Sequence, residues 1–367
     1  FFIGIDFGHG ETTVSRVPGY KTEAVSRVPL RITGHDIDKK VVSALCKHDD
    51  GWHFVWSQED FKRPDIREGF KGIIGKLDPT RKEALGEFAK LVFRTILEND
   101  QDLVYDENTG EANFAICIAC PSDWRCQDPE TPKEYLKFFR DECGIKPIEM
   151  CINESDAAFY TMYNKYSSDD TIFVIDLGSS TIDFTTYHHS ECISECCWGH
   201  NLGAHIVEDK IIETGYGDPE NKKNMCKAAE ARRAANLGSA DAALSLAARF
   251  AKENFYTNKL SEFEFEVRFN HLIPAWPSKR ELAFSLYLSK DEFRKVIFNY
   301  SNQLETVFMT AAKKLENYGI SPTKVLLSGG ASRMDFVRDS AKLAFPNAEI
   351  YKDTCPEWVV SDGAAKY

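Results

Sequence analysis

The chain has 367 residues, of which 43% are hydrophobic and 28% charged, and a formal net charge of −12. This is enough apolar material for two or more cores, and the charge content is that of a folded protein rather than a disordered one. There is no basic block to track a phosphate backbone, which excludes nucleic acid as the main partner. No apolar stretch reaches the roughly 18 residues of a membrane span, and no basic amphipathic helix could lie on a membrane surface. Eleven cysteines, an odd number scattered through a large chain, point to reduced thiols and a cytoplasmic protein. The chain starts at Phe1 inside an apolar run, so further residues are expected upstream.

In chain order, FFIGIDFGHGETTVSRV predicts a hairpin in which a buried strand delivers Asp6 into a small, polar turn. Polar turns at Gly19 and Gly34 follow, then strands at Lys39 to Ala44 and Trp52 to Trp56, split by a turn at Asp49, Asp50 and Gly51. REGFKGIIGKL resembles a phosphate-binding P-loop, but the glycine spacing is one residue too long and Leu77 stands where a Mg²⁺-binding hydroxyl is needed. Arg81 to Leu97 is amphipathic, with Leu85, Phe88, Leu91, Val92 and Ile96 on one face. A buried strand, Phe114 to Ala119, ends at Pro121, Ser122, Asp123 and Trp124. A helix over Glu134 to Glu142, a strand at Ile148 to Ile152 and a helix capped by Asn153 complete an α/β alternation.

The stretch TIFVIDLGSSTIDFTTY, Thr171 to Tyr187, repeats the opening pattern about 170 residues on. Alone, it is equally a hairpin with an aspartate in its turn and a phosphate site whose carboxylate holds hydrated Mg²⁺. Its pairing with I-D-F-G favours two similar lobes, each pointing an acidic hairpin at a shared cleft. Downstream, Cys192 to Trp198 reads as a strand and GHNLGAHIVEDKI as a turn into a helix. Asp218 to Asn224 reads as a polar loop and Lys227 to Ala251 as one or two helices. Phe263 to Phe269 and Ala283 to Leu288 alternate as strands around a loop with Pro274 and Pro277. Ser289 with Glu292 is a capping box for a helix running to about Tyr318. VLLSGGASRMDFVRDSAKLAF predicts strand, glycine turn and helix, and a strand near Ile350 leads to a helical end.

Two cysteine groups bear on metal chemistry. Cys117 and Cys120 form C-x-x-C, but on a strand residues three apart face opposite sides. Cys192, Cys196, Cys197, His200 and His205, with His188 and His189 nearby, have ligand types that suit zinc. They lack a paired C-x-x-C and read also as a strand and turn.

IGIDFG, VIDLGSSTID, INESDAA, GHNLGA, LLSGGASR and SDGAA stand in the order found in the actin-like ATPase superfamily. More narrowly, the chain resembles the nucleotide-binding domain of DnaK-type, 70-kDa heat-shock chaperones over nearly its whole length. The resemblance implies an α/β fold of two lobes, duplicated ribonuclease H-like domains around a nucleotide cleft. Lobe I would cover 1–165 with a small subdomain at about 35–94, and lobe II 166–367 with one at about 211–300. It implies ATP and ADP as ligands with Mg²⁺, and slow hydrolysis coupled to lobe rotation.

By the same resemblance, Asp6 and Asp176 hold Mg²⁺, largely through water. Gly8, His9, Gly10, Gly178, Ser179 and Ser180 line the phosphates, and Gly203 belongs to a phosphate-side glycine motif. Thr181 touches the γ-phosphate, Glu154 associates with the attacking water, and Lys71 reaches the γ-phosphate. Gly329, Gly330 and Arg333 form the adenosine turn, and Glu230 with Arg233 is an adenosine-contacting pair. Phosphoryl transfer needs positioning and charge neutralisation more than covalent chemistry, and this set offers both.

The family pattern has Thr-Thr after Gly8, two more glycines after Gly178 and proline after Glu154. Here stand His9–Gly10 and Glu11, Ser179–Ser180, and Ser155. Such changes bear on hydrolysis more than on nucleotide binding. The alternatives are an actin-like filament or interaction protein with weak hydrolysis and a small-molecule kinase of the same fold. Partners implied are client proteins, co-chaperones and a peptide-binding domain following residue 367, on a monomeric chain.

Overall fold

In a computed structural model the chain is a mixed α/β protein. The structure describes all residues except 20–23, 34–35, 39, 64, 123, 125–127, 162–165, 238 and 274–281. The expectations at Gly34, Lys39, Asp123, Pro274 and Pro277 lie outside the described residues.

Two six-stranded sheets share one plan. In the first, Phe2–Phe7 pairs antiparallel with Glu11–Val17 and parallel with Ala115–Cys120, which pairs parallel with Ile148–Asn153. In the second, Thr171–Leu177 pairs antiparallel with Ile182–His188 and parallel with Lys324–Ser328, which pairs parallel with Glu349–Lys352. Each hairpin also carries two short outer strands. Every residue of Thr171–Leu177 is buried, as expected for a central strand covered on both faces. Asp6 lies in register with Ala119, and Asp176 with Ser328, so both carboxylates stand near the ends of central strands.

The helix Pro79–Asn99 starts where the Asp78 carboxylate accepts from the Arg81 amide, with proline at the first position. Its Leu85, Phe88, Val92 and Ile96 are buried in the core of the first sheet, and Leu91 packs at its margin. Cys120 belongs to this core and Cys117 to a smaller cluster on the other face, so the two thiols point apart as predicted. A three-stranded sheet, Ala44–His48, Gly51–Phe54 and Ile66–Glu68, packs on the same helix.

The helix Val359–Lys366 wedges between the first sheet and the helix Glu154–Thr161. The approach is too close for side chains at two positions. A Cβ on Gly363 would meet the Ala157 carbonyl at 1.7 Å, and one on Gly4 the Ser361 carbonyl at 2.2 Å. Thr13 donates to Ser361 at 2.9 Å, and Ser15 to Asp362 at 2.5 Å, which satisfies the polar groups buried there.

Several boundaries differ from the sequence expectations. Asp218 to Asn224 is not a loop: Asp218 caps the helix Pro219–Ala234, where Asn221 and Asn224 are buried and Asn221 donates to the Gly215 and Ser285 carbonyls at 3.0 and 2.7 Å. Lys227 to Ala251 contains the end of that helix and most of Asp241–Thr257. Cys192 to Trp198 is not one strand, because a 3₁₀ turn at Ser194–Cys196 interrupts it. The capping box at Ser289 is present, but the helix breaks at Ile297 into Lys290–Val296 and Phe298–Asn317. The helix expected at Glu134 to Glu142 begins at Thr131 and ends in a π turn, Phe138–Glu142.

The substitution Gly363→Val is expected to cost about 2–3 kcal/mol or more, because backbone lies in its way on a packed helix. Urea unfolding measures this, and an unchanged midpoint would mean that the helix does not pack as described.

Candidate functional site

A cleft of about 330 Å³ lies between the ends of the two hairpins and is lined by both. Asp6 comes from the first central strand and Asp176 from the second. Glu154, the first residue of its helix, and Lys71, on the loop after Ile66–Glu68, face them. Lys71 Nζ donates to Glu154 Oε1 at 2.5 Å and stands 4.0 Å from Asp6 Oδ1. Ser328 donates its hydroxyl to Asp176.

This packing of charge sets the protonation. Burial pushes Asp6 well above the ordinary carboxylate range, with Lys71 only partly offsetting it and Glu154 and Asp176 adding to it. Burial and Glu154 raise Asp176 to about 6. Burial alone would lower Lys71, but Glu154 and Asp6 hold it above the ordinary lysine value. Asp6 Oδ1 is buried with no hydrogen-bond partner among the described residues. A hard divalent cation is the species such oxygens accept. Among the described residues, Asp6, Glu154 and Asp176 do not gather three ligand atoms within 4.8 Å of one another.

The two turns meet across the cleft. Gly178 N–H closes its turn on the Thr181 carbonyl at 2.9 Å, and the Thr181 hydroxyl donates to Asp183 at 2.9 Å. A Cβ on Gly10 would lie 3.1 Å from Ser179 Cβ, so the first turn makes room for the serine of the second. Ser179 Oγ is buried without a hydrogen-bond partner among the described residues. Gly203 backs the second turn so closely that a Cβ would meet the Ser179 carbonyl at 2.1 Å. The His205 amide donates to that carbonyl at 3.0 Å. His9 lines the cleft, and burial beside Arg249 and Lys71 lowers it to about 4, so it is neutral at pH 7.

At the far end, Gly329 takes a φ of 80° and packs on the Leu177 carbonyl, which places Gly330 and Arg333 on the cleft wall. Arg333 forks onto Glu357, at 2.9 and 2.7 Å. Glu11, raised by burial, bonds Lys40 at 2.6 Å, and Lys40 lies 3.7 Å from Glu253.

One expected pair does not belong here. Glu230 and Arg233 are exposed on the helix Pro219–Ala234 and line no part of the cleft. The next helix, Asp241–Thr257, supplies Arg249, Lys252, Glu253 and Tyr256 instead. Arg249 and Lys252 bond the buried Glu208, Lys252 at 2.6 Å, and Arg249 reaches the Gly10 carbonyl at 3.0 Å. Their opposite charges hold Glu208 below the usual carboxylate range despite its burial. Their spacing of three, four and seven residues on an otherwise apolar face was the available signal. Glu208 and Glu357 had none. Asn153 donates its amide to Asp156 at 2.7 Å. Among the described residues, Cys192, Cys196, Cys197 and their histidine neighbours do not gather three ligand atoms within 4.8 Å.

No known protein family matches the chain, and no curated protein matches it.

Asp176 gives a test of the electrostatics. With a value near 6 against the ordinary 3.8, the folded chain binds more protons than the unfolded one between those values. Stability from this group is therefore lost as pH rises through that window, and the full cost is present above it. Asp176→Asn keeps an acceptor for Ser328 and removes the charge. It is expected to be more stable than the native chain at pH 8 by about 2–3 kcal/mol, and equal to it at pH 3. Equal urea midpoints at pH 8 would contradict the assignment.

Proposed function

We propose that the chain binds MgATP in this cleft and hydrolyses it slowly to ADP and phosphate, as the nucleotide-binding domain of a chaperone-like ATPase with two actin-like lobes. One observation carries the reading. Two sheets of identical strand order each present a strand-end aspartate and a glycine turn to one cleft, with Lys71 and Glu154 between them.

Asp6 and Asp176 would hold the Mg²⁺ through water, and the bound ion would neutralise charge on the phosphate oxygens. The chain's own residues supply the rest. Backbone amides of the first turn, Gly8 to Gly10, and those of Ser179 and Ser180 in the second would face the phosphates, where small residues allow close approach. Lys71 would turn part of its charge from Glu154 to the γ-phosphate. Glu154, so released, would orient the attacking water and accept its proton. The Thr181 hydroxyl would meet the γ-phosphate from the second turn. Gly329, Gly330 and Arg333 would hold the adenosine, with Glu357 fixing the guanidinium plane.

Within this reading, the departures at Gly10 and Ser179 become one feature, because the missing side chain on the first turn accommodates the extra one on the second. That contact also favours a second reading, nucleotide binding with little turnover in an actin-like interaction protein, since it narrows the space between the turns. Client proteins, co-chaperones and a following peptide-binding domain would be the partners of the first reading. No described helix is long and apolar enough to cross a membrane.

Lys71→Ala is expected to lower the rate of ATP hydrolysis by about 10²–10³-fold, with a lower urea midpoint because Glu154 loses its buried partner. Full turnover in Lys71→Ala or in Asp176→Ala would sink the mechanism. ATP binding by the native chain without measurable turnover would select the second reading.

A further inference from the structure

Away from the cleft, the hairpin Ala44–His48 and Gly51–Phe54 carries Cys46, His48 and His53. Cys46 and His48 are two apart on one strand, and Cys46 lies opposite His53 in the pairing register. All three side chains therefore leave the same face of the hairpin. Facing them is Asp60, on the 3₁₀ turn Gln58–Lys62. Cys46 Sγ lies 3.3 Å from His48 Nε2, and these two atoms and an Asp60 carboxylate oxygen fall within 4.8 Å of one another. We propose that Cys46, His48 and Asp60 form a zinc site, with His53 or a water as the fourth ligand.

The chemistry of the set selects the ion. Thiolate and imidazole are ligands for Zn²⁺ and poor ligands for Mg²⁺, and the carboxylate serves zinc as a third ligand. Zn–S and Zn–N bonds of about 2.3 and 2.0 Å place sulfur and nitrogen roughly 3.5 Å apart in a tetrahedron, close to the separation found. The ligands are also oriented from behind. Asp60 Oδ2 accepts from the amides of Trp56 and Ser57, at 2.9 and 3.1 Å, which fixes the carboxylate. The His48 and His53 rings lie 4.3 Å apart, and His53 Nε2 bonds Asp50 at 2.9 Å, a carboxylate–histidine pair of the kind that supports metal ligands. Arg63 lies near enough to oppose a cation. The thiolate and the Asp60 carboxylate balance the ion, so that the completed site is neutral. Binding releases the thiol proton to solvent.

The place of the site indicates its work. The turn Gln58–Lys62 is a point where the first part of the chain grips the second. Gln58 donates to the Glu266 carbonyl at 2.8 Å, and Arg232 donates to the Phe61 carbonyl at 2.9 Å. A metal joining the hairpin to this turn stiffens that grip and is structural rather than catalytic. The inference stands independently of the nucleotide reading.

Titration of the reduced native chain with Co²⁺ tests it, because a cobalt–thiolate bond gives a near-ultraviolet charge-transfer band and tetrahedral cobalt gives visible bands. One equivalent is expected to develop both, and Zn²⁺ to bleach them. Cys46→Ser should abolish the charge-transfer band, and His48→Asn should weaken binding more than about tenfold. Cys192→Ser should change neither. No thiolate band in the native chain, or a band that survives Cys46→Ser and vanishes in Cys192→Ser, would overturn the proposal. Should Cys46→Ser fail to fold, the native titration and His48→Asn decide between these outcomes.

Discussion

Acidic groups crowd a buried cleft around the ammonium of Lys71, and the rest of the site follows from that constraint. Burial raises the cost of ionising Asp6 and Asp176, the Glu154 carboxylate adds to it, and the charge of Lys71 offsets only part of it. A cluster of this kind is not explained by stability, since apolar residues of similar volume would fold at least as well. It is the arrangement expected where a cation and a polyanion are to be received together, each supplying charge that the other lacks.

The scaffold makes the cluster from two copies of one device. A central strand, buried on both faces, ends at an aspartate, and the glycine that follows allows the chain to turn back at once. Because both sheets have the same order, both strand ends address the same cleft. The helix Val359–Lys366, locked on Gly4 and Ala157, then ties the first strand of the chain to the helix that opens with Glu154. Arg249, bonded to Glu208, reaches the Gly10 carbonyl and ties the second half of the chain to the first turn. Motion of one hairpin relative to the other must break or carry these contacts.

The parts of this account that were legible in the sequence are the local ones. An apolar run, Asp, one residue and Gly report their own geometry, and so do the SGG turn at Ser328 and the capping box at Ser289. The contacts that were not legible join residues far apart in the chain. Arg249 and Gly10 are 239 positions apart, and nothing local to either announces the other. Two Ala-rich helices both carry charged residues one turn apart, and only tertiary placement decides that Lys252 and Glu253, not Glu230 and Arg233, reach the cleft. Asp218 to Asn224 looked like a loop because polar composition dominates it. Asp-Pro there is a helix start, and Asn221 and Asn224 are buried on it against the carbonyls of Gly215, Ser285 and Ala283. The cluster of Cys46, His48, His53 and Asp60 was hidden because its members are spread over a strand, a turn and a second strand, with no fixed spacing to mark them.

The most direct measurement is calorimetric titration of the native chain with ATP, in the presence and absence of Mg²⁺. The account predicts one saturable site per chain, with affinity that falls when Mg²⁺ is withheld. It also predicts loss of that site in Gly203→Val, where a side chain would displace the Ser179 turn. No saturable binding by the folded native chain, or binding untouched by Gly203→Val, would contradict it.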